Sequence, residues 1–198
     1  MVNRMIKTLL TIFIILSLFG LASCSRLLDN PQSPNEYKTR SGKTIIVTET
    51  QPEGQSLSTI EITTKGFEYN RPEIYEDRDP ISNVFIADLD ENGFDEIYII
   101  TTSAGSGSYG TVLGFASNKD KSLSMINFPD IQEGDENFKG YMGHDKFTIE
   151  DQKLIRTFPV YQKDNTNQKP TGGRRKVIYG LYPGEAMWQL KQLGSHLK

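Results

Sequence analysis

Beyond residue 41 the apolar residues of this chain alternate with polar ones in short runs, and no stretch there sustains a helical period. Alternation of that kind builds half-buried strands, because successive side chains of a strand point to opposite faces. Runs 43–49 and 57–63 flank Gln51-Pro52-Glu53-Gly54-Gln55 at hairpin spacing, and 84–87 and 97–101 bracket an acidic turn. Runs 111–116 and 123–128 follow, then 147–149 and 154–158 around Asp151-Gln152, then 176–181 and 187–193 across Pro183-Gly184-Glu185. Residues 67–80 mix aromatics, charges and prolines without a period and are expected to cross the surface irregularly. The whole predicts an all-β domain, an antiparallel β-sandwich or flattened barrel of about eight to ten short strands. Phe115, Phe147, Phe158 and Trp188 are expected in its core.

The amino terminus reads differently. Arg4 and Lys7 precede an apolar stretch over 9–19 that is too short to span a bilayer, and Leu21-Ala22-Ser23-Cys24 closes it with small residues. The tetrad resembles the lipobox of bacterial lipoproteins, which implies a signal peptide over residues 1–23 and a lipidated Cys24 as the mature amino terminus. Cys24 is the only cysteine, so a disulfide within the domain is excluded. The alternative is an incidental cysteine behind a conventional signal peptide. Ser25 at the next position favours, by the same resemblance, an outer-membrane anchor facing the periplasm. Residues 24–41, polar and holding Pro31 and Pro34, read as a flexible linker, which leaves 42–198 as the folded domain. The chain carries a net charge of −3; residues 1–23 hold Arg4 and Lys7 and no carboxylate, so the remainder stands at −5. An acidic balance argues against a nucleic-acid partner and suits a cationic one.

Two stretches carry candidate chemistry. The first is Thr101-Thr102-Ser103-Ala104-Gly105-Ser106-Gly107-Ser108-Tyr109-Gly110, between two expected strands. Gly105, Gly107 and Gly110 can take positive φ at little steric cost, so the backbone can form a tight projecting tip that displays Ser106, Ser108 and Tyr109. The alternative is an ordinary flexible hairpin connection. The spelling G-x-G-x-x-G-x-V matches a kinase phosphate loop, but no strand lysine, H-R-D or D-F-G follows it. A dinucleotide fold is excluded as well, because a strand-like run follows instead of a helix.

The second stretch is Asp88-Leu89-Asp90-Glu91-Asn92-Gly93-Phe94-Asp95-Glu96. Asp88, Asp90, Asn92 and Glu96 gather oxygen donors around a glycine turn, the hard ligand set that Ca²⁺ takes. The pattern resembles the acidic turns of calcium-binding β-propeller repeats. It is not an EF-hand, because the twelfth position is Ile99 and the flanks are strand-like. The alternative is a metal-free hairpin whose side chains bond the turn backbone. His144 beside Asp145 reads as a structural hydrogen bond, and no catalytic set emerges, so no cofactor is required and no enzyme activity is expected.

Several islands in one order resemble the periplasmic inhibitors of invertebrate-type (I-type) lysozyme made by Gram-negative bacteria. They are Ala87-Asp88-Leu89 with Gly93 and Glu96-Ile97-Tyr98, the loop 102–110, and Lys121-Ser122-Leu123-Ser124. Tyr141-Met142-Gly143-His144-Asp145, Arg156 with Phe158-Pro159-Val160-Tyr161, Pro170-Thr171-Gly172-Gly173 with Arg175, and Gly184-Glu185-Ala186 with Trp188 complete them. The resemblance implies a β-sandwich-like inhibitor whose S-G-x-Y loop, here Ser106-Gly107-Ser108-Tyr109, enters the lysozyme active-site cleft. Arg175 is the second contact it suggests, and I-type lysozyme the partner; self-association as a homodimer stays open. The family often has a plain signal peptide, so the lipobox is a departure. Residues before 79 carry little of the likeness.

Overall fold

The structure is a computed structural model that describes residues 34–163 and 169–198. Four strands, β1 (Asn35–Lys38), β2 (Thr44–Thr50), β3 (Ser58–Lys65) and β4 (Glu73–Arg78), form an antiparallel sheet in sequence order. Two meanders follow. The first is β5 (Ile81–Ala87), β6 (Glu96–Thr102), β7 (Gly110–Ser117) and β8 (Leu123–Asn127). The second is β9 (Lys146–Glu150), β10 (Lys153–Pro159), β11 (Arg174–Pro183) and β12 (Trp188–Leu197). They join as an eight-stranded sheet in the order β5-β6-β7-β8-β12-β11-β10-β9, which curls into a nearly closed barrel. The seam is the one parallel pairing among the described residues, β8 with β12, through Trp188 opposite Ile126 and Gln189 opposite Asn127.

The all-β expectation holds, and the described residues contain twelve strands, more than the alternating runs announced. The two extra ones are sheet edges. β1 lies inside the stretch expected as linker, where only Tyr37 is half-buried, and β4 lies inside the expected irregular excursion, where Glu73 and Tyr75 alone are partly covered. An edge strand buries little and bonds on one side, so its sequence shows little alternation. Cys24 and the expected signal peptide over residues 1–23 fall outside the described residues.

β6 explains the two-layer build. Every residue from Glu96 to Thr101 is buried, because both of its faces are covered. Ile97 and Ile99 join Ile45, Val47, Ile60, Ile62, Phe67 and Phe115 between the sheets. Tyr98 and Ile100 point the other way into the barrel, with Phe147, Leu154, Phe158, Val177 and Tyr179. Each fully buried aliphatic side chain contributes about 1.5–3 kcal/mol, so β6 ties the small sheet to the barrel. Phe115, Phe147 and Phe158 are core as expected, while Trp188 is only partly buried against it.

Candidate functional site

The glycine-serine stretch forms the β6–β7 connection. Thr102 opposite Gly110 closes the ladder, the Ser103 N–H donates to the Tyr109 carbonyl (2.9 Å), and the Tyr109 N–H donates to Ser103 Oγ (2.9 Å). A tight turn caps it, with the Ser108 N–H donating to the Gly105 carbonyl at 2.9 Å and Ser106-Gly107 at its centre. Ser106 is exposed, Tyr109 is 49% exposed, and Gly107 between them is buried.

The glycines act differently from expectation. Among these tip residues, positive φ belongs to Ser108 (43°), not to Gly105, Gly107 or Gly110. Gly107 and Gly110 serve close approach instead. A Cβ on Gly107 would lie 2.9 Å from Cδ2 and Cζ of Tyr109, and one on Gly110 would lie 2.8 Å from Phe147 Cε2 and 2.9 Å from Asp145 Cβ. Gly105 has nothing within 4 Å of such an atom. Tyr109 is therefore folded back over Gly107, its ring 5.8 Å from that of Tyr141 in an edge-on contact.

Beneath the loop lies a buried polar assembly. The Asp145 side chain is 0% exposed and that of Arg156 3%. Arg156 donates from Nε to Asp145 Oδ1 (2.7 Å), and from Nη2 to Asp145 Oδ2 (2.9 Å), the Tyr141 hydroxyl (2.5 Å) and the Gly110 carbonyl (3.2 Å). Asp145 Oδ2 also accepts from the Tyr141 hydroxyl (2.6 Å) and the Gly110 N–H (2.7 Å). The guanidinium sits among the rings of Tyr141, Phe138, Phe147 and Phe128, at 4.9 to 5.9 Å from their centres. Burial alone would lower the Arg156 pKa, but the bonds and charge of Asp145 outweigh it and hold it above the ordinary value. Burial, and then the bond to Asp145 against the pull of Arg156, keeps the Tyr141 phenol protonated well above the ordinary range.

Asp145, next to His144 in the chain, is bonded by Arg156, Tyr141 and the Gly110 N–H. The His144 N–H donates to the Gly107 carbonyl at 2.6 Å, with φ of 57°. Gly143 precedes it at φ 87°, where a Cβ would run into that same carbonyl. A signal for Arg156 was present in Leu154-Ile155-Arg156-Thr157-Phe158, where Arg156 shares the parity of the core residues Leu154 and Phe158. A lone charge at a core position needs a buried partner.

Beside Tyr109 opens a cleft of about 300 Å³, lined by Gly110, Phe128, Asp130, Ile131, Tyr141 and Arg156 among others. Pro129, Asp130 and Ile131 line it, and the chain that continues from them carries Glu133, Asp135 and Glu136 with no basic residue between Pro129 and Phe138. Asp130, Glu133 and Glu136 are exposed. Arg175 is half-buried at the start of β11, and its Nη1 donates to the Glu136 carbonyl (3.1 Å) and to Ser195 Oγ (3.3 Å). It thus ties the backbone of the acidic segment to β12.

At the β5–β6 turn, Asp88, Asp90 and Glu96 bring one oxygen each within 4.8 Å of one another. Most of the donor atoms also serve the turn. Asp88 accepts from the N–H groups of Asn92 (3.0 Å) and Gly93 (2.9 Å), and Asn92 Oδ1 accepts from the Phe94 N–H (2.8 Å). Arg40, in the expected linker, donates from its N–H to Asp95 Oδ2 (2.5 Å) and from Nη1 to Asp88 Oδ2 (3.0 Å). Glu96, 1% exposed, accepts from the Leu89 N–H (2.8 Å) and the Tyr98 hydroxyl (3.0 Å). Burial first, and then the charges of Asp90 and Asp88, push the Glu96 carboxyl up to about 8. Three convergent carboxylates fit a hard cation; a guanidinium on one of them and a proton on another at neutral pH oppose it.

No family model, curated protein or solved structure matches this chain.

Proposed function

We propose that this chain is an inhibitor of I-type lysozyme, held in the bacterial envelope by a lipid on Cys24, that closes the enzyme's cleft with the tip Ser106-Gly107-Ser108-Tyr109. The observation that carries the reading is the build of the tip. Ser106 and a 49%-exposed Tyr109 stand on a turn whose backbone is bonded at Ser103, Gly107 and Gly110. A displayed aromatic on a fixed backbone binds with little ordering cost, which is how anchors at inhibitor interfaces gain their energy. Lysozyme-type enzymes place two carboxyl groups about 5 to 9 Å apart, one of them protonated. A hydroxyl at Ser106 donates to one and accepts from the other, while Tyr109 fills a sugar subsite. Asp130 lines the cleft beside Tyr109 and opens an acidic run to Glu136, and with the acidic balance of the chain it steers a basic enzyme towards the tip.

The test is a pair of substitutions that leave the fold alone. If each anchor is a hot spot of about 2 kcal/mol, Ser106→Ala with Tyr109→Ala weakens inhibition by roughly three orders of magnitude. Full inhibition by the folded double variant removes the tip from the mechanism.

A second reading, a calcium-dependent binding lipoprotein, rests on the convergence of Asp88, Asp90 and Glu96. It predicts that partner binding requires the ion, whereas the inhibitor reading predicts equal inhibition in calcium and in chelator.

A further inference from the structure

We infer that Asp145, Arg156 and Tyr141 are positioning residues for loop 103–110, fixing its displayed shape before any partner arrives. The consequence for binding rests on the inhibitor reading above; the consequence for loop order does not. A buried ion pair seldom adds stability over well-packed apolar side chains of the same volume, because both charges lose their water. This pair sits in a cage of Phe128, Phe138, Tyr141 and Phe147, where apolar residues would fill the same space. What apolar residues could not do is bond Gly110. Its N–H donates to Asp145 Oδ2 (2.7 Å) and its carbonyl accepts from Arg156 Nη2 (3.2 Å).

Gly110 ends the loop, so the assembly holds the residue from which Tyr109 is displayed. The 141–145 segment grips the loop at a second point, through the His144 N–H on the Gly107 carbonyl (2.6 Å). Tyr141 reaches a third, with its ring 5.8 Å from that of Tyr109. The Tyr141 hydroxyl links the two charged groups, donating to Asp145 and accepting from Arg156. The loop is therefore clamped at Gly107, Tyr109 and Gly110 by one short segment and one β10 side chain.

Tyr141→Phe keeps the ring and removes the hydroxyl, and Arg156→Lys keeps the charge and removes the fork. Each is made in the full chain and followed by melting temperature, amide hydrogen exchange and inhibition of I-type lysozyme. The expected result is exchange at the Ser103, Tyr109 and Gly110 amides faster by about tenfold or more, with Tyr98 and Ile99 in β6 unchanged. The inhibition constant is expected to rise about 10- to 100-fold at temperatures where the variant is fully folded. Loop amides that keep their wild-type exchange, or that speed up only in step with β6, overturn the inference and leave a purely structural assembly. If Arg156→Lys does not fold, Tyr141→Phe decides alone. If the wild type inhibits no lysozyme, the inhibitor reading falls while the exchange data still decide the positioning role.

Discussion

Replacing Gly107 by alanine should move a side chain without moving the backbone. The new Cβ would fall 2.9 Å from two ring atoms of Tyr109, a spacing that carbon atoms do not tolerate. The φ of Gly107 is not in the left-handed region, so alanine takes the same backbone, and the exposed ring is what yields. Tyr109 then leaves its edge contact with Tyr141, which costs about 0.5–1.5 kcal/mol. As a binding anchor of about 2 kcal/mol, a displaced Tyr109 weakens inhibition about 30-fold. Gly105→Ala is the stability control. It meets nothing within 4 Å at an ordinary φ, and by restricting the unfolded chain it stabilises by about 0.4–1 kcal/mol. Inhibition constants and melting curves of both variants are the assay. Wild-type potency in a folded Gly107→Ala would refute the reasoning, because it would mean that the seat of Tyr109 has no bearing on binding.

Other expectations concern the acidic turn and the anchor. Glu96 has a folded pKa of about 8, above the ordinary 4.5, so the folded state keeps a proton that the unfolded chain releases. In chelator, stability is full below about pH 4.5 and falls as pH rises towards 8, by on the order of 5 kcal/mol. Glu96→Gln should flatten that profile in urea titrations, and an unchanged slope would assign it elsewhere. Calcium at a hundredfold excess over its Kd raises stability by about 2.7 kcal/mol; superimposed melting curves in millimolar calcium and in chelator would leave 88–96 a metal-free turn. Wild type should take up labelled fatty acid and fractionate with membranes, and Cys24→Ser should do neither; equal labelling of the two would end the lipoprotein reading.

Strands with one buried face were legible in the sequence because their alternation is the direct mark of the pleat. Ile60-Glu61-Ile62-Thr63 shows it, and β6 was legible as a continuous apolar run. β1 and β4 were not, since an edge strand that covers one aromatic leaves almost no pattern. The position of the tip was readable from the strands around it, but the use of its glycines was not. A glycine needed for φ and one needed for close approach look alike until the neighbouring ring is in place. Asp145 with Arg156 depended on the β9–β10 register, which brings Arg156 opposite Phe147, two residues beyond Asp145. Arg40 with Asp88 and Asp95 joins residues about fifty positions apart, a separation over which no local pattern speaks.

The most direct measurement is inhibition of one lysozyme of each major type, invertebrate, chicken and goose, by the wild-type protein and by Ser106→Ala/Tyr109→Ala. The account predicts tight inhibition of the invertebrate type by the wild type, weakened roughly a thousandfold in the double variant, with association slowing as salt rises. Absence of binding to every lysozyme by the folded wild type, or equal inhibition by both proteins, would contradict it.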